Sequence, residues 1–134
     1  MVFEAKVYKS GKFWISEAPV LDAMTQGTTK AEAIDMLKDW IRSALDQPVK
    51  VEIKESGNSL LVSAPTTPQL TSLVLKRLRE RMGLTVREAA KLLGFKSHNA
   101  YAQYERGTIE PKLSQLERIL EEMNGKTELK IRFG

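Results

Sequence analysis

Cysteine is absent from these 134 residues, and histidine occurs only once, as His98. Without cysteine the chain can form neither disulfides nor thiolate metal sites. A single histidine also excludes metal clusters or proton relays built on paired histidines. No stretch is apolar for long enough to span a membrane or to serve as a signal peptide. We therefore expect a soluble, cytoplasmic protein without a cofactor and without a membrane partner.

The excess of positive over negative charge lies entirely in the second half of the chain. Residues 1–65 carry 8 Lys and Arg against 9 Asp and Glu, whereas residues 66–134 carry 13 against 8. The stretch APTTP at residues 64–68 has the composition of a linker between the halves. We therefore predict a first domain at 1–64, a linker at 65–69 and a second domain at 70–134. A basic second half favours a polyanionic partner such as nucleic acid.

Alternating apolar residues predict a small antiparallel sheet in the first domain. Phe3, Ala5 and Val7 alternate with polar residues, and residues 12–17 would return as the second strand of a hairpin. Further strands are predicted at 20–24, 49–53 and 59–63. A helix over 29–47 would lie across the sheet. Its apolar stripe consists of Ala33, Met36, Leu37, Trp40, Ile41 and Leu45.

The most informative stretch is TVREAAKLLGFKSHNAYAQYERG at 85–107, which predicts two short helices joined by a tight turn. Thr85 and Glu88 can form a capping box over the first helix. Gly94 suits the left-handed residue beyond its end, and Ser97 can cap the second helix. The outer side of the second helix is polar and nearly uncharged, as readout of base edges requires. The predicted base-reading residues are Ser97, His98, Asn99 and Gln103.

Cations around this stretch would contact DNA phosphates. We predict these phosphate contacts at Lys76, Arg77, Thr85, Arg87, Lys96 and Arg106. For the cations of the preceding helix, the alternative is that they are ordinary solvated charges. That helix has an apolar stripe of Leu70, Leu73, Val74, Leu78 and Met82, and a last helix has Leu113, Leu116, Ile119, Leu120 and Met123. The second domain should therefore be an all-helical bundle.

The spacing of Ala89, Gly94, Glu105, Gly107 and Pro111 resembles the helix-turn-helix of the lambda-repressor/Cro class. The resemblance implies that Arg79 and Glu105 form a structural ion pair. The turn at 94–97 looks one residue longer than the commonest form. Val86 stands where many members carry a phosphate-binding Gln. Backbone contact would therefore move to Thr85 or Arg87, and the partner would be double-stranded operator DNA.

A second resemblance concerns the first domain. Gly11-Lys12-Phe13-Trp14, Pro19, Thr25-Gln26-Gly27-Thr28 and Glu32-Ala33, in this order, look like the N-terminal domain of HicB antitoxins. The resemblance implies a truncated ribonuclease-H-like βββαβ fold. It also implies a type II antitoxin that covers the active site of a HicA-like ribonuclease toxin and represses the shared operon. Trp14 and Gln26 would contact the toxin; alternatively, Trp14 belongs to the core and Gln26 only to a turn.

The C-terminal end carries a strand pattern without a sheet. Leu129, Ile131 and Phe133 alternate with basic residues after the predicted bundle. We predict that this strand pairs with its copy about a two-fold axis, giving a homodimer or a higher oligomer built from it. The two recognition helices would then read half-sites about 34 Å apart, or a multiple of that. The alternative is pairing with the N-terminal sheet of the same chain.

Two other functions remain open at this point. One is a stand-alone repressor without a toxin. The other is a divergent metal-dependent nuclease, because a ribonuclease-H-like fold can bring carboxylates together. Its candidate ligands would be Glu4, Asp22, Glu32 and Asp35, although Glu4 and Asp35 are also explained as surface charges of a strand and a helix. We favour an α+β protein without catalytic activity.

Overall fold

The computed structural model describes residues 1–45, 48–64 and 68–123. These residues form an α+β fold in which an antiparallel sheet with one helix precedes a group of four helices. The predicted C-terminal strand with Leu129, Ile131 and Phe133 lies outside the described residues, as does most of the predicted linker. The fold class therefore matches the expectation, whereas dimerisation through that strand stays a prediction.

Five strands make up the sheet of the described residues. They are β1 (Val2–Ser10), β2 (Phe13–Ala18), β3 (Ala23–Gly27), β4 (Glu52–Ser56) and β5 (Ser59–Ser63). Their order is β3-β2-β1-β5-β4, and every neighbouring pair is antiparallel. The chain order is thus βββαββ, which has one strand more after the helix than the βββαβ order that the resemblance implied.

Two strands begin later than the alternation predicted. Residues Pro19–Leu21 form a single 3-10 turn, and Asp22 ends it in the left-handed region with φ +52°. β3 therefore begins at Ala23 instead of residue 20. β4 likewise begins at Glu52, although Val51 just before it is fully buried. Alternation reports which side chains are buried, and burial does not require pairing with a neighbouring strand.

One helix, α1 (Lys30–Ala44), covers one face of the sheet. Thr29 caps it, and the hydroxyl oxygen accepts a hydrogen bond from the Glu32 amide at 3.1 Å. Ala33, Leu37 and Ile41 are buried at a spacing of one turn. Two expectations are wrong: Met36 is 45% exposed, and the helix ends at Ala44 instead of residue 47. Trp40 and Leu45 are half-buried against the same core, so of the predicted stripe only Met36 lies outside the buried face. We call β1–β5 with α1 the N-terminal unit.

The helical unit consists of α2 (Gln69–Arg81), α3 (Val86–Leu92), α4 (His98–Glu105) and α5 (Leu113–Met123). All residues of α2 from Gln69 to Leu75 are buried, and one continuous hydrophobic core joins this unit to the N-terminal unit. The last predicted linker residue, Gln69, therefore belongs to α2. Met82 and Leu113 are 41% and 66% exposed, so each predicted stripe is one residue too long at one end.

Candidate nucleic-acid interface

Local hydrogen bonds determine where α3 and α4 begin. The Thr85 hydroxyl accepts from the Glu88 amide, and a Glu88 carboxylate oxygen accepts from the Thr85 amide, both at 3.1 Å. The hydroxyl of Ser97 accepts from the Ala100 amide at 3.2 Å. The bond from the Thr85 backbone also holds the pKa of the Glu88 carboxyl below its ordinary value. Both predicted caps are confirmed.

The connection between the two helices is a sharp corner of five residues, 93–97. Gly94 has φ +74°, and the Phe95 amide donates to the Ala90 carbonyl at 2.9 Å, which closes the end of α3. The Phe95 ring fills the corner, 5.7 Å from the Tyr101 ring centroid and 6.0 Å from that of Tyr104. These ring contacts fix the angle between α3 and α4.

A partly buried ion pair holds the end of α4 against α2. Arg79 Nε donates to both carboxylate oxygens of Glu105, at 2.8 and 3.0 Å, and a second nitrogen donates to the Leu84 carbonyl at 2.8 Å. The two side chains are only 14% and 7% exposed. The hydrogen bond to Glu105 raises the pKa of Arg79, whereas burial raises the pKa of the neighbouring Tyr101. The structure therefore brings the predicted structural pair together.

The predicted base-reading residues occupy the first turns of α4 and its outer side. Asn99 is exposed, and Gln103 lies one turn later on the same side of the helix. Gln103 is half-buried, and its amide nitrogen donates to the Ala100 carbonyl of its own helix at 3.3 Å. His98 is half-buried, and the exposed Ser97 is also the helix cap. Asn99 is thus the least engaged of the four side chains.

Exposed cations surround α4. Arg87 lies on α3, Lys96 lies in the corner and Arg106 follows α4 directly. Within the described residues none of these three forms an ion pair or a side-chain hydrogen bond. Thr85, the remaining predicted phosphate contact near α3, is exposed at the start of that helix. An uncharged polar strip between free cations is the arrangement that major-groove binding uses. We call this surface the α3–α4 face.

The two predicted phosphate contacts on α2 lie elsewhere. Arg77 Nε donates to the Leu21 carbonyl at 2.8 Å, and the guanidinium lies 5.6 Å from the centroid of the Trp40 ring. We therefore reassign Arg77 to the contact between the two units. Lys76 is exposed and lines a small depression together with Ala44 and Glu105. Sequence periodicity could not separate these roles, because every exposed cation on a helix looks alike from spacing alone.

The predicted toxin contacts lie on opposite faces of the sheet. Trp14 is on the side of α1, where Lys30 Nζ stands 5.9 Å from its ring centroid. The neighbouring Thr25 donates its hydroxyl to the Ala33 carbonyl of α1, so Gln26 faces the other way. Trp14 and Gln26 therefore lie on different faces of the sheet. The alternation places Gln26 with Tyr8, Phe13, Ile15 and Met24 on the face that α1 leaves uncovered, which we call the open sheet face.

Sequence reasoning missed one cation near the corner. Arg118 of α5 lies over the Phe95 ring, 5.7 Å from its centroid. Nothing in the spacing of α5 distinguished it from the other charged positions of that helix.

Among the described residues there is no group of three or more His, Asp or Glu side chains placed to hold a metal ion. The same residues include no helix of the length and apolarity that a bilayer crossing requires.

Comparison with known proteins agrees with this geometry. A helix-turn-helix family model matches residues 75–129, which include α3, the corner and α4. No curated protein matches the chain. The C-terminal part of the chain is therefore a helix-turn-helix domain, and such a domain indicates a DNA-binding transcriptional regulator.

Proposed function

We propose that this protein is a repressor that reads double-stranded operator DNA with the α3–α4 face. The observation that carries the proposal is the exposed polar side of α4 between Arg87, Lys96 and Arg106, on a helix held in place by the Arg79–Glu105 pair. Amide side chains in a major groove can distinguish base pairs, and the cations supply affinity that depends on salt but not on sequence.

Two single variants separate these contributions. Asn99→Ala should weaken binding to the promoter fragment upstream of its own gene by about 1 to 3 kcal/mol and leave binding to a scrambled duplex unchanged. Arg87→Gln should weaken binding to both duplexes. It should also reduce the slope of log K against log salt concentration, which we call the salt slope, by about 0.9 in magnitude. Fluorescence anisotropy at several salt concentrations measures both quantities. Equal losses on both duplexes for Asn99→Ala would contradict base readout at this position.

We further propose that the N-terminal unit binds a HicA-like ribonuclease toxin, so that the chain is the antitoxin of a type II pair and represses its own operon. The open sheet face supports this proposal, because it leaves Phe13 42% exposed and Met24 60% exposed on one side of the sheet. Apolar side chains grouped on an exposed surface favour a protein partner over a nucleic acid. The chain itself would be a cytoplasmic protein without catalytic activity.

Two exposed methionines provide a matched test of this surface. Met24 lies on the open sheet face, whereas Met36 lies on α1 and is 45% exposed. Co-purification with the product of the neighbouring small gene should be lost with Met24→Lys and kept with Met36→Lys. Absence of any complex with the wild-type chain, together with retained promoter binding, would leave a stand-alone repressor.

Dimerisation through the C-terminal residues is also proposed and is tested separately. Removal of residues 126–134 should convert a dimer into a monomer and weaken binding to a two-half-site operator. Native mass spectrometry measures the mass of the truncated chain. An unchanged dimer mass would show that the contact between copies lies elsewhere.

A further inference from the structure

Two arginines of α2 connect the helical unit to the N-terminal unit. Arg77 Nε donates to the Leu21 carbonyl at 2.8 Å, and one terminal nitrogen of Arg81 donates to the Pro19 carbonyl at 2.7 Å. The Arg77 guanidinium is also stacked over Trp40 at the far end of α1. These partners are more than fifty positions away in sequence, so the bonds exist only in the folded chain. We call these contacts the latch.

The acceptor side of the latch is rigid. The Pro19 carbonyl also accepts the Asp22 amide at 3.0 Å, and Asp22 closes the turn in the left-handed region. Leu21, whose carbonyl receives Arg77, is fully buried. Both acceptors therefore belong to a turn closed by its own backbone hydrogen bond, and little further conformational entropy is lost there when the arginines bond to it.

A different set of α2 side chains holds the recognition helix. Besides the Arg79–Glu105 pair, Thr71 donates its hydroxyl to the Glu110 carboxylate at 2.9 Å. The amide nitrogen of Gln69 donates to the Gly107 carbonyl at 3.3 Å. All three acceptors follow or end α4. The helix α2 is thus bonded to the N-terminal unit through one set of side chains and to the end of α4 through another.

We propose that Arg77 and Arg81 are positioning residues for operator reading. By tying α2 to the Pro19–Leu21 turn, they hold α4 in one orientation relative to the sheet, and the two units read DNA as one body. Neither arginine contacts DNA in this proposal, which rests on the proposed operator binding of the α3–α4 face. Its consequence is that the fraction of molecules in the binding-competent orientation depends on the latch.

The first experiment needs no DNA. Because the continuous hydrophobic core stays in place, the two units should share one rotational correlation time in every variant. ¹⁵N relaxation dispersion should instead show exchange at the amides of residues 20–22 in the Arg77→Gln/Arg81→Gln variant and none in the wild-type chain. Lys12→Gln, which removes an exposed cation at the hairpin turn, is the control and should show none. Arg81→Gln alone changes an exposed side chain and gives a milder variant should the double substitution prevent folding. Absence of exchange in the double variant would overturn the latch.

The second experiment distinguishes positioning from phosphate contact. In the double variant, affinity for the promoter fragment should fall about tenfold, within the usual range of coupling between sites, while the salt slope stays that of the wild type. Arg87→Gln should instead lower the slope by about 0.9, because it removes a phosphate contact. The Arg77→Lys/Arg81→Lys variant keeps a positive charge and a hydrogen-bond donor at both positions. It should therefore recover part of the affinity that the glutamine variant loses.

The outcomes separate this inference from the proposed function. A lowered salt slope in the latch variant would show that these arginines bind phosphates, which overturns the inference and leaves DNA binding intact. Exchange at the Pro19–Leu21 turn with unchanged operator affinity would overturn the positioning role as well. Failure of the wild-type chain to bind its promoter would refute the proposed operator reading, whereas the relaxation experiment would still report whether the latch joins the two units.

Discussion

The open sheet face and the α3–α4 face are both exposed, yet their chemistry differs. The open sheet face presents Phe13, Ile15 and Met24 together with the Lys6–Glu17 ion pair. The two charges of that pair lie 3.2 Å apart and neutralise each other. The α3–α4 face has polar side chains at its centre and free cations around them. The first surface therefore suits a protein partner and the second a polyanion. Under the proposed function, each surface would take a different class of partner.

The two regions also differ in how they are stabilised, and the largest expected effect comes from their ion pairs. Glu105→Ala leaves the partly buried guanidinium of Arg79 without its carboxylate, so the free energy of unfolding should fall by about 2 kcal/mol. Glu17→Ala breaks a pair whose lysine is 57% exposed and should lower it by less than about 1 kcal/mol. Urea denaturation measures both. Equal losses would contradict the difference between the two regions.

Glycines at positive φ provide the second comparison. Gly107 (φ +70°) lies against the Gln69 side chain. A Cβ added at Gly107 would overlap the Gln69 side-chain nitrogen and stand 2.8 Å from Gln69 Cδ. Gly11 (φ +61°) in the first hairpin has open space around it. Gly11→Ala should therefore lower the free energy of unfolding by about 1 kcal/mol, through backbone strain alone, and Gly107→Ala by about 2 kcal/mol. Thermal unfolding of the two variants tests the order, and a larger loss at Gly11 would refute it.

Two helix caps should contribute similar free energies to folding, but their loss should affect DNA binding differently. Ser97→Ala and Thr29→Ala should each lower the free energy of unfolding by about 1 kcal/mol. Ser97 caps an eight-residue helix and Thr29 a fifteen-residue one, so loss of the cap should fray a larger part of α4 than of α1. Promoter affinity should consequently fall for Ser97→Ala and stay unchanged for Thr29→Ala, as measured by anisotropy. A loss of affinity with Thr29→Ala would place α1 nearer to the DNA than we propose.

The smallest effect concerns pH and is confined to the helical unit. The native pKa of Glu88 lies below its ordinary value of 4.5, because the carboxylate accepts the Thr85 amide. A lowered native pKa means that the capping box stabilises α3 fully above the ordinary pKa and loses this effect as pH falls through the native one. The Thr85 amide resonance should therefore shift at acidic pH, and Glu88→Gln should abolish that shift. A midpoint above 4.5 would contradict the capping geometry.

How far the sequence predicted this structure depends on how local each feature is. Thr85, Ser97 and Gly94 were identified from spacing, because their partners lie within five residues. The Arg79–Glu105 pair spans 26 positions and was found only through the resemblance of the spacing to a known class. Arg77 was predicted as a phosphate contact, whereas its Nε bonds the Leu21 carbonyl, because its spacing on α2 looks the same for either partner. Trp14 and Gln26 were placed together, although the pleat of the sheet separates them.

The sequence by itself therefore determined the features whose energies arise between near neighbours: the starts of α3 and α4, the left-handed Gly94 and the alternation of the strands. Tertiary structure alone decided which face of β2 α1 covers and that Arg77 and Arg81 bond to the Pro19–Leu21 turn. The physical reason is that burial and long-range hydrogen bonds depend on which surfaces meet after folding. Side-chain spacing shows that a face exists, but only packing shows what lies against it.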